Sequence, residues 1–399
     1  MATSFWSVRV VLIGLLCLGM DAHAHAQTAP APDSLAALLV DLDRRVNIVT
    51  GVPQTIDLSA IASFGNIIAL EQSTAPLGTS TGAFNFVFDP QLGTYRQSTT
   101  SFGPAFSSRS LTTGRNHFSA GFNYLHAGYD SFAGMNLKNG ELRPVRNVQG
   151  AVQLPRYSEL TLDLSSDTVV AFGNFGATDN LDVGIVVPWI RTTISGQVGL
   201  FDAAGIDLTS GSLRLARASA VGIGDVAIVG KYRVLRQAGG GVAAVFQLHL
   251  PTGDEDNFRG LGFTRTMIGG VWSMGGRVSP HINLGYEFWS EDVEQIKNQV
   301  TYALGAEVQV TPKVTAVLDL VGRRLLGAGG YEYTNQSFGP VTFELLKVTH
   351  GGLSVVSLAP GIKWNPTGNG LLVANVLVSL ANGGLRANVI PVIGIDWTF

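Results

Sequence analysis

The sequence predicts an all-β fold, a transmembrane antiparallel β-barrel of about twelve strands, with fourteen as the alternative, behind a partly helical N-terminal plug or periplasmic region. Three observations predict it. The chain begins with a secretory signal peptide. Residues 117–399 contain repeated segments near bilayer length in which apolar and polar residues alternate. No segment after residue 26 has the roughly 18 consecutive apolar residues of a transmembrane helix, so strands must do any spanning.

The first 26 residues have the three parts of a signal peptide. Residues 1–9 have one positive charge, residues 10–20 are apolar, and Ala24-His25-Ala26 is an A-x-A cleavage site. The apolar part is shorter than the roughly 20 residues that span a bilayer as a helix. We therefore expect an exported mature chain, and an uncleaved membrane anchor is the alternative.

The composition fits a protein with a lipid-facing surface. Charged residues make up 14% of the chain, against roughly 25% in soluble proteins, and there are 49 glycines with a net charge of −3. Without a run of Lys or Arg, nucleic acid is not an expected partner. The single cysteine, Cys17, lies in the signal peptide, so we expect no thiol chemistry in the mature chain.

Residues 27–116 are expected to form a region of their own, either a plug or a periplasmic region. A helix is predicted over 33–45, a second helical pattern covers 58–72, and 83–88 with 94–98 predicts a short hairpin. The apolar face of the first helix gives the candidate plug or gate residues Leu35, Leu38, Leu39 and Leu42.

The barrel is expected to occupy residues 117–399, where short and long connections alternate as in bacterial barrels, which places both termini in the periplasm. The predicted strands are 117–130, 158–174, 181–201, 219–235, 241–251, 263–274, 278–289, 299–310, 314–325, 353–364, 370–380 and 387–399. In the last strand, Gly394, Trp397 and Phe399 resemble the C-terminal assembly signal of outer-membrane barrels, which makes the barrel-assembly machinery an expected partner. Val392 departs from that signal, because a polar residue is usual there.

If the apolar face of each strand contacts lipid, the opposite face lines the lumen, and it contains charges that no soluble core would leave unpaired. Acidic and basic residues occur in comparable number, so two interpretations stay open: an ion-pair network that links wall and plug, or a polar path that sets selectivity. The lumen-lining candidates are Glu159, Asp163, Asp225, Lys231, Arg233, His249, His281, Glu287, Glu307, Asp319, Arg323, Lys363 and Asp396.

Catalytic and metal sites are not predicted. The mature chain has five histidines and neither a G-x-S-x-G nor an H-E-x-x-H motif, so we expect no enzyme. The densest acidic cluster, Asp254-Glu255-Asp256, offers oxygen ligands of the kind that Ca²⁺ takes, but it lacks the EF-hand pattern. We interpret it as a solvated turn and expect no metal and no cofactor.

Four motifs resemble the family of outer-membrane proteins associated with the meta pathway of phenol degradation. The residues are Gly222-Ile223-Gly224-Asp225-Val226 with Lys231-Tyr232, then Leu250-Pro251-Thr252-Gly253-Asp254, Pro280-His281-Ile282-Asn283-Leu284-Gly285-Tyr286, and Gly394-Ile395-Asp396. The resemblance implies a relationship to the barrels that admit long-chain fatty acids and aromatic hydrocarbons. Those have fourteen strands, an N-terminal hatch and a lateral path through the wall, and they provide no catalytic residue to carry over.

We therefore expect a channel in the Gram-negative outer membrane, in contact with lipid and lipopolysaccharide, for passive uptake of small hydrophobic or aromatic compounds. One alternative is a structural or adhesive barrel whose external loops 131–157 and 326–352 bind surface partners. The other is a general porin for polar solutes, which would need an open lumen.

Overall fold

The computed structural model describes residues 34–39, 54–55, 58–78, 86–89, 91, 94–97, 101–141, 145–148, 156–202, 206–208, 213–214, 217–237, 239–291, 298–327, 329–338, 341–350 and 352–399. The predicted signal peptide and Leu42 lie outside these residues. Part of the first predicted helix is described and is helical over 35–39. The second is the helix Leu58–Thr74, here α1, which begins as predicted and ends two residues later.

Twelve antiparallel strands of the described chain form a closed barrel. β1 closes the ring because it pairs with both β12 and β2. Twelve strands are therefore confirmed, and the fourteen-strand alternative is not what forms. The strands are β1 Phe118–Tyr129, β2 Arg156–Gly176, β3 Leu181–Asp202, β4 Val226–Gln237, β5 Gly240–Leu250, β6 Arg265–Ser273, β7 Val278–Trp289, β8 Gln299–Thr311, β9 Val314–Leu325, β10 Leu353–Trp364, β11 Gly370–Ser379 and β12 Val389–Thr398.

Shorter strands lie outside this ring of twelve. The predicted N-terminal hairpin is present as Phe86–Asp89 paired with Thr94–Gln97. The predicted loop between β9 and β10 contains a hairpin of its own, Gly329–Phe338 with Val341–His350. The remaining short strands are Gln54–Thr55, Ser131–Phe132, Met135–Asn136, Val145–Val148, Leu213–Arg214, Ala218–Ile223 and Leu385–Arg386. None of the described helices is long and apolar enough to cross a membrane.

The outer face of the barrel is apolar. On β12, Val389 and Ile393 are 52% and 60% exposed, while Val392 and Asp396, which lie on the opposite face of the strand, are buried. A water-facing surface of this kind would promote association, whereas a lipid-facing barrel requires it. Closure leaves no unpaired strand edge, which is the condition for strands to cross a bilayer. The fold is therefore that of a Gram-negative outer-membrane barrel.

A bulge interrupts the wall before β4. Ile223 pairs with Trp189, and Ala227 pairs with Val186. The chain therefore advances four residues from Ile223 to Ala227, while β3 advances only three. Pro188 lies opposite the bulge and has no N–H to donate, although its carbonyl accepts the Gly224 amide at 2.9 Å. The short strand Ala218–Ile223 precedes β4 in the chain and pairs with the same neighbour, β3, in a register shifted by one residue.

Candidate functional site

Most of the predicted lumen residues lie on the inward face of the barrel. Buried there are Asp225, Lys231, Arg233, His281, Glu287, Glu307, Asp319, Arg323, Lys363 and Asp396, and His249 faces inward with partial exposure. Glu159 and Asp163 are different, because on β2 the buried positions are Leu162 and Leu164. The inward face there packs against an apolar cluster, so the rule that polar residues face the lumen fails on this part of β2.

That apolar cluster lies at the long-loop end of the barrel, and we call it the mouth core. Leu35, Leu38 and Leu39, the described part of the predicted plug face, are each 2% exposed within it. Phe258 from the loop after β5 is also 2% exposed and lies against α1, where a Cβ at Gly65 would be 3.1 Å from its ring. The Leu35 amide donates to Asn257 Oδ1 at 3.1 Å, which ties the N-terminal region to the same loop.

Two motifs noted in the sequence form one unit at this loop. The Thr252 hydroxyl donates to the Gly224 carbonyl at 2.7 Å and accepts the Val226 amide at 2.9 Å, so it replaces pairing lost at the bulge. Asp225 in turn accepts the amides of Gly253 at 3.2 Å and Leu261 at 3.3 Å. The side chains of one motif thus satisfy the backbone of the other.

The acidic loop is solvent-exposed at Glu255 and Asp256, as the sequence suggested, but Asp254 is only partly exposed and has partners within the loop. Asp254 accepts hydrogen bonds from Asn257 Nδ2 at 2.7 Å and Arg259 at 2.6 Å, so its carboxylate is engaged within the loop. Burial alone would raise the pKa of Asp254, but these two partners hold it below its ordinary value. Among the residues that the structure describes, no group of His, Cys, Asp and Glu has the arrangement of a metal site.

Two arginines of the wall hold the C-terminal end of α1. Arg265 donates to the Ser73 carbonyl at 3.1 Å, and Arg323 donates to the Thr74 carbonyl at 2.8 Å. Cations at this end interact favourably with the helix dipole and with carbonyls that lack a helical partner. Arg323 also binds Glu71 at 2.5 Å, and Arg265 binds Glu287 at 3.2 Å. Burial raises the pKa of Glu71, against the opposing effect of Arg323.

Residues 101–113, the crossing segment, lie across the lumen toward the short-turn end and are not helical. Asp319 accepts the amides of Ala105 at 3.0 Å and Phe106 at 2.9 Å. Asn283 makes two bonds with the backbone of Ser108, at 2.7 and 2.9 Å. Inward side chains of the wall therefore act as hydrogen-bonding partners for a segment that has no strand neighbour.

Charged groups connect the crossing segment to the wall. Arg109 Nε donates to Glu307 Oε1 at 2.5 Å, and the two side chains are 2% and 0% exposed. His281 lies between two carboxylates, with Nδ1 3.0 Å from Glu307 Oε2 and Nε2 2.7 Å from Asp319 Oδ1. Lys363 Nζ donates to the Pro104 carbonyl at 2.7 Å. The sequence left two interpretations of the inward charges open, an ion-pair network or a polar path that sets selectivity. The contacts of these residues are those of an ion-pair network.

Sequence reasoning missed two members of this arrangement. Arg109 lies in a polar stretch that has no strand pattern, and only its burial identifies it. Asp182 is the second residue of β3 and lies in a predicted strand, but it was not among the lumen candidates; it is 1% exposed and accepts the Thr113 amide on both oxygens, at 3.1 and 2.9 Å. Its other neighbour is Lys231, whose Nζ lies 3.7 Å from Oδ2.

An internal cavity of about 310 Å³ lies between the end of α1 and the crossing segment. We call it the chamber. Its size is at the lower end of the range for small-molecule pockets, which is about 300–1,000 Å³. The lining is largely apolar, with polar groups such as Gln247, His249, Thr301 and Lys231 at intervals. The apolar lining includes Leu77, Phe106, Phe172, Val186, Ala227, Val229, Val245, Met267, Val271, Ala303, Val321 and Leu377.

Comparison with solved structures gives matches among outer-membrane channels. An outer membrane channel from Pseudomonas putida F1 is 12% identical over 73% of this chain and 98% of its own, with a TM-score of 0.48. The Ralstonia pickettii toluene transporter TbuX is 12% identical over 82% of this chain and 99% of its own, with a TM-score of 0.30. The P. putida toluene transporter TodX is 11% identical over 71% and 89%, with a TM-score of 0.34.

The family comparison covers most of the barrel. A search of curated proteins gave no match. The model of one protein family, described as "Putative MetA-pathway of phenol degradation", matches residues 143–384, which is more than half of the chain. This span includes the interlocked motifs at Asp225 and Thr252 and the His281 motif. The chain therefore belongs to the family of the MetA pathway of phenol degradation.

Proposed function

We propose that the protein is a passive route through the outer membrane for small hydrophobic or aromatic compounds. The observation that carries this proposal is the chamber, an apolar cavity of about 310 Å³ inside a membrane barrel. A lumen built only for water and polar solutes has no need of apolar walls, whereas an apolar solute gains free energy by leaving water for them. The names of the similar channels, two of them toluene transporters, are consistent with this proposal.

We further propose that residues 27–116 act as a plug that narrows this route. Support comes from the crossing segment, which is bound to the wall below the chamber, and from the mouth core above it. An obstructed lumen is a poor general porin, so the polar-solute alternative is disfavoured. We propose that the outer face of the barrel contacts lipid and lipopolysaccharide. We propose that β12 is recognised by the barrel-assembly machinery.

A matched pair of substitutions tests the chamber as the route. Ala227 faces inward and lines it, whereas Ala244 on the adjacent β5 is exposed on the outer face. Uptake of radiolabelled toluene, phenol and a long-chain fatty acid is measured in cells that lack or contain the protein. We expect the wild-type protein to accelerate entry of at least one compound. Ala227→Trp should lower that rate several-fold, and Ala244→Trp should leave it unchanged.

Two assays separate the alternatives: uptake of the labelled compounds tests for a structural or adhesive barrel, and liposome swelling with sugars tests for a general porin. Equal entry of every compound with and without the protein would contradict the proposal and favour a structural or adhesive barrel. Rapid swelling with sugars would indicate a general porin instead. Equal rates in Ala227→Trp and wild type would place the route outside the chamber.

A further inference from the structure

Lys231 is the most unusual polar group of the chamber. It lies on the inward face of β4, is 3% exposed and lines the cavity. Among the described residues, its Nζ has no hydrogen-bond partner. The nearest carboxylate oxygen, of Asp182, is 3.7 Å away, which allows ionic attraction but exceeds hydrogen-bonding distance.

Asp182 is committed to other donors. Both of its oxygens accept the amide of Thr113, and Oδ2 also accepts the Thr113 hydroxyl at 3.3 Å. The carboxylate therefore anchors the end of the crossing segment and balances the charge of Lys231 only from a distance. A buried ammonium group without a hydrogen bond is unfavourable, so an acceptor that reaches Nζ from the chamber gains a strong partner.

The surroundings of Lys231 indicate what would bring that acceptor. Val245 is its direct partner across the strand pair, and Val229 is the next inward residue on its own strand. Both line the chamber. A flat apolar ring fits against these side chains, while a compact oxygen meets the ammonium, which acts as a point charge with three donors.

We propose that the chamber selects small aromatic molecules that bear an anionic or hydrogen-bond-accepting oxygen, bound at Lys231, over hydrocarbons of the same size. This inference rests on the proposed function and narrows its substrate class. A ligand that leaves a buried polar group of its site unpaired is rejected strongly. A purely apolar pocket discriminates less strongly against a ligand that has one additional hydroxyl group. Lys231 is therefore the specificity-determining residue of the route.

Benzoate and toluene are the probes, because both have one ring and only benzoate has the oxygens. Benzoate binding to the purified barrel is measured by calorimetry, and uptake of both compounds is measured in cells. Lys231→Met keeps the length and apolar stem of the side chain, and we expect it to weaken benzoate binding about 10- to 100-fold. Toluene uptake should change less than about twofold. The exposed Lys313, in the turn between β8 and β9, provides the control Lys313→Met, which should change neither.

Two further variants exclude a purely structural effect. Lys231→Met leaves Asp182 without its cation, so the double variant Lys231→Met with Asp182→Asn removes both charges and should bind benzoate as weakly as the single variant. Asp182→Asn alone leaves Lys231 free of a competing carboxylate, and we expect tighter benzoate binding. Heat-modifiable migration in gels confirms that each barrel is folded.

The outcomes distinguish this inference from the proposed function. Accelerated toluene entry with no benzoate binding by the wild-type protein would overturn the inference and leave the proposed function intact. Benzoate binding that needs Lys231, without accelerated entry of any compound, would support the site and contradict transport. Equal losses for benzoate and toluene in Lys231→Met would also overturn the inference, since the lysine would then act only on the shape of the chamber.

Discussion

Asp319 offers the sharpest test of how the crossing segment is held. Its carboxylate accepts the amides of Ala105 and Phe106, at 3.0 and 2.9 Å, and binds His281 at 2.7 Å. The side chain is 0% exposed. In Asp319→Ala these two amides lose their acceptor inside the lumen, where no strand neighbour replaces it.

The expected effect follows from these contacts. A hydrogen bond to a charged group contributes about 1.5–3 kcal/mol, so two of them contribute about 3–6 kcal/mol to local docking. Each 1.4 kcal/mol corresponds to a factor of about ten, so the protection of the Ala105 and Phe106 amides should fall about 10²- to 10⁴-fold. Asp319→Asn retains one acceptor oxygen and should give an intermediate loss.

Hydrogen exchange followed by mass spectrometry or NMR measures this protection residue by residue. The Ser108 amide is the internal control, because Asn283 holds it and the substitution leaves that contact in place. We expect its exchange to change less than about threefold. Unchanged exchange at Ala105 and Phe106 in Asp319→Ala would instead show that the carboxylate contributes nothing to holding the segment.

Three further predictions concern the mouth core, the acidic loop and the C-terminus. Phe258→Ala should lower the free energy of unfolding by about 3–5 kcal/mol in urea titrations. The control Met274→Ala, at an exposed position, should change it by less than about 0.5 kcal/mol. Equal losses in the two variants would argue against a packed mouth core. Burial raises the pKa of Asp254, but the hydrogen bond from Asn257 and the contact with Arg259 outweigh it, so the pKa lies below the ordinary value of 3.8. The contribution of the Asp254 carboxylate to stability is therefore present above pH 3.8 and is lost as the pH falls through the depressed pKa. Proteolysis of the loop should therefore increase in acid, and Asp254→Asn should abolish that pH dependence; an unchanged profile in the variant would contradict it. Phe399 is 68% exposed, so Phe399→Ala should leave unfolding in micelles nearly unchanged but reduce the amount assembled in the outer membrane, and full assembly would argue against the C-terminal signal.

The interlocked loop explains why two separate glycine-rich motifs occur in this chain. A Cβ at Gly224 of the bulge would lie 3.0 Å from the Arg259 carbonyl oxygen, and a Cβ at Gly260 of the loop would lie 2.9 Å from the Cα of Gly253. Close approach of backbone to backbone at the bulge and in the loop therefore favours glycine at both positions. The loop is held to the wall at its base and contributes Phe258 to the mouth core, so it packs as part of the folded barrel end.

Local patterns in the sequence are sufficient to predict the barrel. Strand alternation is a local property with a period of two, and the bilayer imposes one rule on every outward position, so parity alone distinguishes the two faces. For this reason the twelve strands, the apolar face of β12 and the inward positions of residues such as His281 and Asp319 could be predicted from the sequence.

The contacts inside the barrel, by contrast, depend on the folded chain as a whole. The parity rule failed for Glu159 and Asp163, because the inward face of β2 meets an apolar cluster from the N-terminal region instead of a polar lumen. Arg109 and Glu307 are separated by 198 residues along the chain, and no local pattern relates them. Barrel closure brings such residues together by the register of distant strands, so the partners of each buried charge, and the 3.7 Å separation of Lys231 from Asp182, are fixed by the closed fold alone.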